Sequence, residues 1–365
     1  MTDEQAMRRA LDLALKGTGK VSPNPRVGAV IVHEGEIIGE GWHSAYGSAH
    51  AEVEAIRSAS RPLEGATLYV NLEPCNHFGK TPPCTHLIID KKFRRVVIGM
   101  TDPNPEVSGR GISELQQAGI EVNIGVLEEE AQWINRFFTK YITTGQPYIL
   151  AKIAQSLDGC IATVYGQSKW ITSEESRQVT HALRAEVDAV LVGAVTVAKD
   201  DPELTVRLVE GRNPKRVILD SDLSISLKSK VFAEEDRHNT FVFCTQSAMT
   251  KHKATALKIS GVNVFAAGAG TGDYLSLRAV LEQLASKNVA SVMVEGGARI
   301  FSSFAQENLI DELHIFTAPI LIGSGLHSFS SLSVPSLQIA KKFTFKSITP
   351  CGTDMYAVAV RRPAS

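Results

Sequence analysis

The chain is poor in cysteine, with five among 365 residues. An odd, sparse count in so long a chain argues against a disulfide framework. Each cysteine is left as a buried small hydrophobe, a metal ligand or a nucleophile. Long apolar runs are missing as well. Stretches such as 189–194 fall far short of the about 20 residues that cross a bilayer. The opening Met1-Thr2-Asp3-Glu4-Gln5-Ala6 has no apolar core of the kind a secretory signal carries, so the expected location is cytoplasmic. Excess charge of either sign is absent too: Lys plus Arg number 38 and Asp plus Glu 39, a net charge of −1. That balance argues against a general binder of nucleic-acid backbone and leaves room for small anionic substrates held by local cations. Apolar residues at 44% and charged residues at 21% are ordinary for a globular chain and exclude a disordered, collagen-like or coiled-coil protein.

At about 150 residues per domain the length suggests two domains. The first begins with capping-box spacing at Thr2 and Gln5, ahead of a helix striped by Ala6, Ala10, Leu13 and Ala14. Strands are expected at 27–32, 37–42, 66–72, 95–99 and 120–125, and helices at 50–60, 84–91, 112–118 and 127–141. This alternation predicts an α/β layer on a largely parallel sheet. Residues 143–147 read as a linker, with the boundary between 145 and 146. The rhythm then restarts, with strands at 148–153, 189–192, 216–219, 240–244, 262–266, 292–294, 314–318 and 355–360, and helices at 174–185, 274–287 and 298–307. No internal repeat is found.

Three features of the first half stand together. His50-Ala51-Glu52 opens a helix, Pro74-Cys75 follows a strand, and Cys84 opens another helix after Pro82-Pro83. One histidine and two cysteines give three zinc ligands and leave a fourth position open, the pattern of a catalytic rather than a closed structural site. Helix N-termini favour thiolates, because free amides and the helix dipole stabilise negative charge. Zinc lowers the pKa of a bound water to about 7. Glu52, two residues from His50, can stand beside the metal and carry protons without binding it. This is the zinc nucleobase-deaminase pattern, H-x-E followed by P-C-x-x-C, with one departure: residues 76–83 separate the cysteines where the pattern has two. A structural zinc knuckle using His77 and His86 would leave His50-Ala51-Glu52 unexplained. Cys160, Cys244 and Cys351 read as packing residues, and His33, His238, His252 and His327 as solvated. Asp102-Pro103-Asn104-Pro105 follows a strand end, where α/β ligand sites gather, and reads equally as a turn. The second half has no G-x-G-x-x-G after its first strand. It has Glu295-Gly296-Gly297-Ala298 between a strand and a helix, where glycines let amides approach a phosphate; alone this is a weak signal.

The first half resembles the deaminase domain of the riboflavin-biosynthesis deaminase/reductase family (RibD or RibG), in which the longer cysteine spacing is usual. Pro23-Asn24-Pro25-Arg26-Val27-Gly28-Ala29-Val30 and Glu73-Pro74-Cys75-Asn76-His77 carry the likeness. In the second half Ser156-Leu157-Asp158-Gly159-Cys160-Ile161-Ala162, Trp170-Ile171-Thr172, Gly193-Ala194-Val195-Thr196, Asp200-Asp201-Pro202 and Leu204-Thr205-Val206-Arg207 are similar to the reductase domain of the same family. The resemblance covers essentially the whole chain. It implies a cytidine-deaminase-like α/β/α zinc domain over 1–145 and a dihydrofolate-reductase-like α/β domain over 146–365 that uses NADPH. It implies one zinc on His50, Cys75 and Cys84, Glu52 as the catalytic residue, and Asn24 and His77 on the substrate. Ala154, Trp170, Thr196, Asp200 and Ser221 would line the NADPH site, with Gly297, Ala298, Arg299, Ile300 and Phe301 around its phosphates. Ser168, Arg184, Leu204, Arg207 and Glu295 would contact the phosphorylated substrate, and guanidinium groups suit a 5′-phosphate well.

The implied activities are deamination of 2,5-diamino-6-(5-phosphoribosylamino)pyrimidin-4-one and reduction of the product's ribosyl group to ribityl. The implied partners are that small phosphorylated pyrimidine and further copies of the chain in a homo-oligomer, with neither nucleic acid nor membrane. The alternative is a base deaminase acting on nucleic acid or free nucleotides with an accessory nucleotide-binding domain; the near-neutral charge weighs against nucleic acid. A non-catalytic zinc protein is a further alternative, and Glu52→Ala would separate it.

Overall fold

The computed structural model describes residues 1–76, 82–105, 107–268, 270 and 275–362, apart from the side chain of Glu234. The chain folds as two compact units, Met1–Gln146 and Pro147–Ser365.

The first unit holds α1 (Asp3–Leu15), β1 (Gly28–His33), β2 (Glu36–Trp42), α2 (Ala51–Arg57), β3 (Thr67–Leu72), α3 (Cys84–Asp90), β4 (Arg95–Met100), α4 (Arg110–Gln117), β5 (Glu121–Ile124), α5 (Glu128–Ile134) and α6 (Arg136–Thr144). The capping box forms at Thr2 and Gln5. The sheet order is β2-β1-β3-β4-β5. Period-2 alternation sends Ala29, Ile31, Leu68, Val70, Val96 and Ile98 to one face, against Ala51, Ala55, Ile88 and Leu115. Val30, Val32, Tyr69 and Val97 go to the other, against Met7, Ala10, Leu11 and Ala131. Helices therefore cover both faces, and β3 is buried at every position.

The expectation of a largely parallel sheet needs correction in this unit. β1 runs antiparallel to both β2 and β3, while β3, β4 and β5 are parallel. The turn at Glu34 and Gly35 is too short for a crossover, so β1 and β2 close as a hairpin. The single helix expected at 127–141 is two helices. Asn135 breaks it, because its side chain turns inward to clamp Arg26, accepting from the Arg26 N–H at 2.8 Å and donating to its carbonyl at 3.1 Å. Asn71 makes a matching clamp from β3, donating to the Arg26 carbonyl at 3.0 Å and accepting from the Gly28 N–H at 2.8 Å. The segment carrying Asn24 is thereby fixed on the sheet. Gly41 sets the other wall: a Cβ there would lie 2.3 Å from the Ala55 nitrogen and 2.4 Å from the Ala51 oxygen. α2 rests directly on the β2 backbone.

The second unit holds β6 (Tyr148–Ser156), β7 (Cys160–Ala162), α7 (Glu174–Glu186), β8 (Ala189–Gly193), α8 (Ala194–Asp200), β9 (Lys215–Leu219), β10 (Thr240–Cys244), α9 (His252–Ile259), β11 (Asn263–Ala266), α10 (Leu277–Ala285), β12 (Ser291–Gly296), α11 (Ala298–Gln306), β13 (Glu312–Ala318), β14 (Leu326–His327), β15 (Phe343–Cys351) and β16 (Asp354–Arg361). Its main sheet runs β11-β10-β9-β8-β12-β6-β13-β16-β15. The strands from β11 to β13 are parallel, and β16 is antiparallel to its neighbours. Parallel strands bring all their C-terminal ends to one edge, where α/β proteins bind ligands. Ser276 caps α10, so the helix starts after the expected residue 274, which lies outside the described residues. Among the described residues no helix is long and apolar enough to cross a membrane.

Candidate active sites

The deaminase-like unit brings its expected metal ligands together. His50 is the N-cap residue of α2 and its side chain caps nothing, so it is free to face the loop after β3. Cys75 lies in that loop, and Cys84 opens α3. The His50 Nδ1 stands 3.5 Å from Cys75 Sγ and 3.3 Å from Cys84 Sγ, and the three ligand atoms lie within 4.8 Å of one another. Metal–donor bonds of about 2.0–2.3 Å at tetrahedral angles put ligand atoms roughly 3.5 Å apart, so the donor set fits zinc. The backbone N–H of Cys84 donates to Cys75 Sγ at 3.4 Å. The Cys84 thiol and His50 hold Cys75 toward its thiolate, while the Cys75 thiolate and burial push Cys84 up. The same thiolate holds His50 at about 9. A cation entering the cluster must therefore displace protons.

Glu52 sits in the first turn of α2, buried at 4% exposure. Burial, and then the Cys75 thiolate, raise its pKa. Asn24 donates from Nδ2 toward His43 Nε2 at 3.2 Å, and His43 Nδ1 meets the Ala49 carbonyl at 3.0 Å. A carbonyl only accepts, so Nδ1 carries the ring proton and Nε2 accepts from Asn24. His43 stands edge-on to His50, with ring centroids 5.9 Å apart. It links Asn24 to the metal cluster and was not singled out from the sequence. His77 lies outside the described residues.

The second unit has a cavity of about 1800 Å³ along the C-terminal edge of its sheet. Ala154, Trp170, Thr196, Asp200 and Ser221 line it, and so does the run from Gly297 to Phe301. Ser168, Arg184, Leu204, Arg207 and Glu295 line it too. Gly296 has φ +142°, a conformation that excludes ordinary side chains, at the turn from β12 into α11. α11 has no side-chain cap, and its first amides are left for an anion. A Cβ on Gly297 would already touch the Thr196 hydroxyl at 3.5 Å. These features fit a dinucleotide.

Two regions of known proteins match this chain. Residues 1–100 match the cytidine and deoxycytidylate deaminase zinc-binding region, and residues 147–357 match the RibD C-terminal domain. The riboflavin biosynthesis protein RibD of Aquifex aeolicus is 46% identical over 97% of both chains. That of Escherichia coli is 39% identical over 97% of this chain and 98% of its own. The chain belongs to the RibD family. A Thermotoga maritima diaminohydroxyphosphoribosylaminopyrimidine deaminase/5-amino-6-(5-phosphoribosylamino)uracil reductase superposes with a TM-score of 0.87 at 42% identity, covering 99% of each chain. Acinetobacter baumannii RibD gives a TM-score of 0.88 at 35% identity and the same coverage. This RibD-family chain is thus a bifunctional enzyme of riboflavin biosynthesis, with a zinc deaminase region and a reductase domain that uses NADPH.

Within the RibD frame several motif residues have structural work. Asp158 accepts from the Ser156 hydroxyl and from the Ile322 and Gly323 amides, which hold its pKa down at about 2. The Ser-Leu-Asp-Gly run therefore ties the end of β6 to the loop after β13. Asp200 accepts from the Ser168 hydroxyl at 3.1 Å, so two expected ligand contacts also bond each other. Arg184 and Glu295 do so more strongly, through Nε–Oε1 at 2.5 Å and Nη2–Oε2 at 2.7 Å. Cys160 and Cys244 are fully buried, while Cys351 is partly buried.

Glu73, quoted above only as part of a motif, is buried at 3% exposure. Its carboxylate accepts from the amides of Asp102 and Gly109 on one oxygen, and Gly111 and Ile112 on the other. The Asp102–Pro105 turn is thereby held beside the Cys75 loop. A Glu73→Gln variant offers one oxygen and leaves two of these amides facing an NH2 group. An unsatisfied buried donor costs about 1–3 kcal/mol, so thermal or denaturant unfolding should show a loss of about 3 kcal/mol.

Lys152 and His181 also line the reductase cavity. Burial lowers the Lys152 pKa, against the opposing pull of Glu295. His181 Nδ1 accepts from the Arg207 N–H at 2.9 Å. Burial, followed by the positive charges of Arg184 and Arg207, lowers its pKa to about 4. An unfolded histidine takes up its proton near about pH 6.5. Folding stability should therefore fall as pH drops from there to about 4 and level off below. Denaturant unfolding at pH 7 and pH 4.5 checks this. His181→Gln, which can still accept from Arg207, should flatten the difference.

Proposed function

We propose that the first unit deaminates 2,5-diamino-6-(5-phosphoribosylamino)pyrimidin-4-one and that the second reduces the ribosyl group of the product to ribityl. The observation that carries this reading is a buried carboxylate, Glu52, beside a His-Cys-Cys cluster open for a fourth ligand, joined in one chain to a dinucleotide-sized cavity. We place the division of labour between residues 145 and 146. When bound, zinc supplies a Lewis acid that makes a water nucleophilic at neutral pH. Glu52 carries two protons in turn on its carboxylate, the first from the water to the ring nitrogen and the second from the new carbon-bound hydroxyl to the departing amine, which leaves as ammonia. Asn24, fixed by His43 and by the clamps on Arg26, offers its side-chain oxygen to the ring edge.

In the second unit NADPH supplies the hydride. Lys152, whose pKa burial brings down, holds a proton where the opening ribose needs one. Arg207 and Arg184 orient the 5′-phosphate, with Glu295 fixing the Arg184 guanidinium. Homo-oligomer formation is part of the same proposal. Phe345 and Ile348 on the outer strand β15 are 62% and 53% exposed, an apolar edge suited to another copy. Light scattering would find a monomer if that were wrong.

The test is NADPH consumption by purified, zinc-loaded protein. Loss of NADPH with the diaminopyrimidinone phosphate that disappears in Glu52→Ala, and returns when the deaminated product is given, supports both activities and their order. No loss with either substrate would overturn the reductase assignment.

A further inference from the structure

The sheet order gives the reductase cavity a direction. Lys152 lies on β6 and Glu295 on β12, and beyond them come β8 and β9 as successive neighbours. Strands are about 4.8 Å apart, so β6 to β9 spans roughly 14 Å. α11 begins between those ends, and Gly193 at the end of β8 closes on it, a Cβ there standing 3.2 Å from Ile300 Cγ1. A dinucleotide with its diphosphate on α11 and its nicotinamide toward Lys152 puts its adenosine ribose over the end of β9. There Ser221, Asp222 and Lys230 line the same cavity.

Four other cations of the cavity are engaged, and Lys199, near the end of α8, stands by Gly166, where a Cβ would lie 3.0 Å from its Nζ. Arg184 is paired with Glu295. Lys169 donates to the Asp200 carbonyl at 2.7 Å. Arg177 donates to the Thr172 carbonyl at 2.9 Å and stacks on Trp170. Arg207 pairs with Glu203 at 2.8 Å. Lys230 differs. Its backbone N–H donates to Asp201 Oδ1 at 2.8 Å, which fixes its place. Its exposed ammonium has no hydrogen-bond or ion-pair partner among the described residues. The Ser221 carbonyl is anchored by the Thr245 N–H and hydroxyl, each at 3.0 Å, while the Ser221 hydroxyl is left unused. A carboxylate at this corner would favour an unphosphorylated ribose. Asp222 supplies one, but Lys251 stands 3.9 Å from it and donates to its carbonyl at 2.9 Å. The Lys230 ammonium is therefore left without a paired carboxylate of its own among the described residues.

We propose that the Lys230 ammonium, with the Ser221 hydroxyl, reads the 2′-phosphate of NADPH and sets the preference over NADH. The inference rests on the reductase reading above. A charge-assisted contact of this kind corresponds to about 10- to 100-fold in affinity. The test is equilibrium binding to the full zinc-loaded chain, followed by nicotinamide fluorescence. Lys230→Met should weaken NADPH about 10-fold or more and leave NADH within twofold. Ser221→Ala should act in the same direction and less, and Lys230→Arg should restore most of the loss. Lys230 is exposed, so the fold is not at stake. Unchanged NADPH affinity, or equal weakening of both dinucleotides, overturns the inference alone. Failure of the unaltered chain to bind either dinucleotide overturns the reductase reading and this inference with it.

Discussion

Replacing Glu52 by Gln is expected to lower deamination about 10³-fold, within the range general acid–base catalysis contributes, while zinc content and reduction of the deaminated substrate stay intact. Glutamine has the shape of glutamate and fits a site that is 4% exposed. It has no oxygen that can take a proton and return it. Burial, aided by the Cys75 thiolate, raises the Glu52 pKa toward the working range of a proton carrier. Glu52 is not among the three clustered ligand atoms, so metal retention should not depend on it. The measurements are the deamination rate, zinc by atomic absorption, and NADPH loss on deaminated substrate. A deamination rate within threefold of the unaltered chain would remove Glu52 from the chemistry. Loss of zinc together with activity would make it a structural residue.

Much of this site was legible because its chemistry is local. His50-Ala51-Glu52 and the two cysteines each sit at a helix start or strand end that periodicity locates, and the fold only has to bring three short segments together. What escaped was long-range or counter to pattern. Arg184 and Glu295 are 111 residues apart, and no spacing argument pairs them. Glu73 and Lys152 did leave a signal: each is a charged residue in or at the end of an apolar strand, where a charge needs a reason. β15 left none, because it is exposed along most of its length and shows no inside-outside alternation. The antiparallel start of the first sheet was visible in principle, since a two-residue turn permits only a hairpin. Asn135 was hidden, because its partner is the backbone of Arg26, 109 residues away.

The Arg184–Glu295 pair should give the largest stability effect, and it also separates structure from function. Its side chains are 11% and 8% exposed, and the Arg184 Nη1 donates further to the Thr205 carbonyl at 3.0 Å. Burial alone would raise the Glu295 pKa, but Arg184 and then Lys152 outweigh it and hold the carboxylate ionised. Arg184→Met leaves that charge buried without its main partner. Breaking a buried pair from one side costs about 3–5 kcal/mol, and at about 2–4 °C per kcal/mol the melting point should fall by roughly 10 °C. The loss should be greater at pH 8 than at pH 5, because the orphaned carboxyl escapes part of the penalty by taking up a proton. Adding Glu295→Gln removes the stranded charge, and since burial already lowers the Lys152 pKa, that lysine can turn neutral beside it. The double variant should therefore regain most of its stability, as buried pairs replaced from both sides commonly do. It should not regain reduction, because the guanidinium proposed to orient the phosphate is still missing and a neutral Lys152 no longer holds the proton. Recovery of both together would mean that the pair only holds the fold; recovery of stability alone would place the pair, through Arg184 on the substrate or Glu295 on the Lys152 proton, in the reaction.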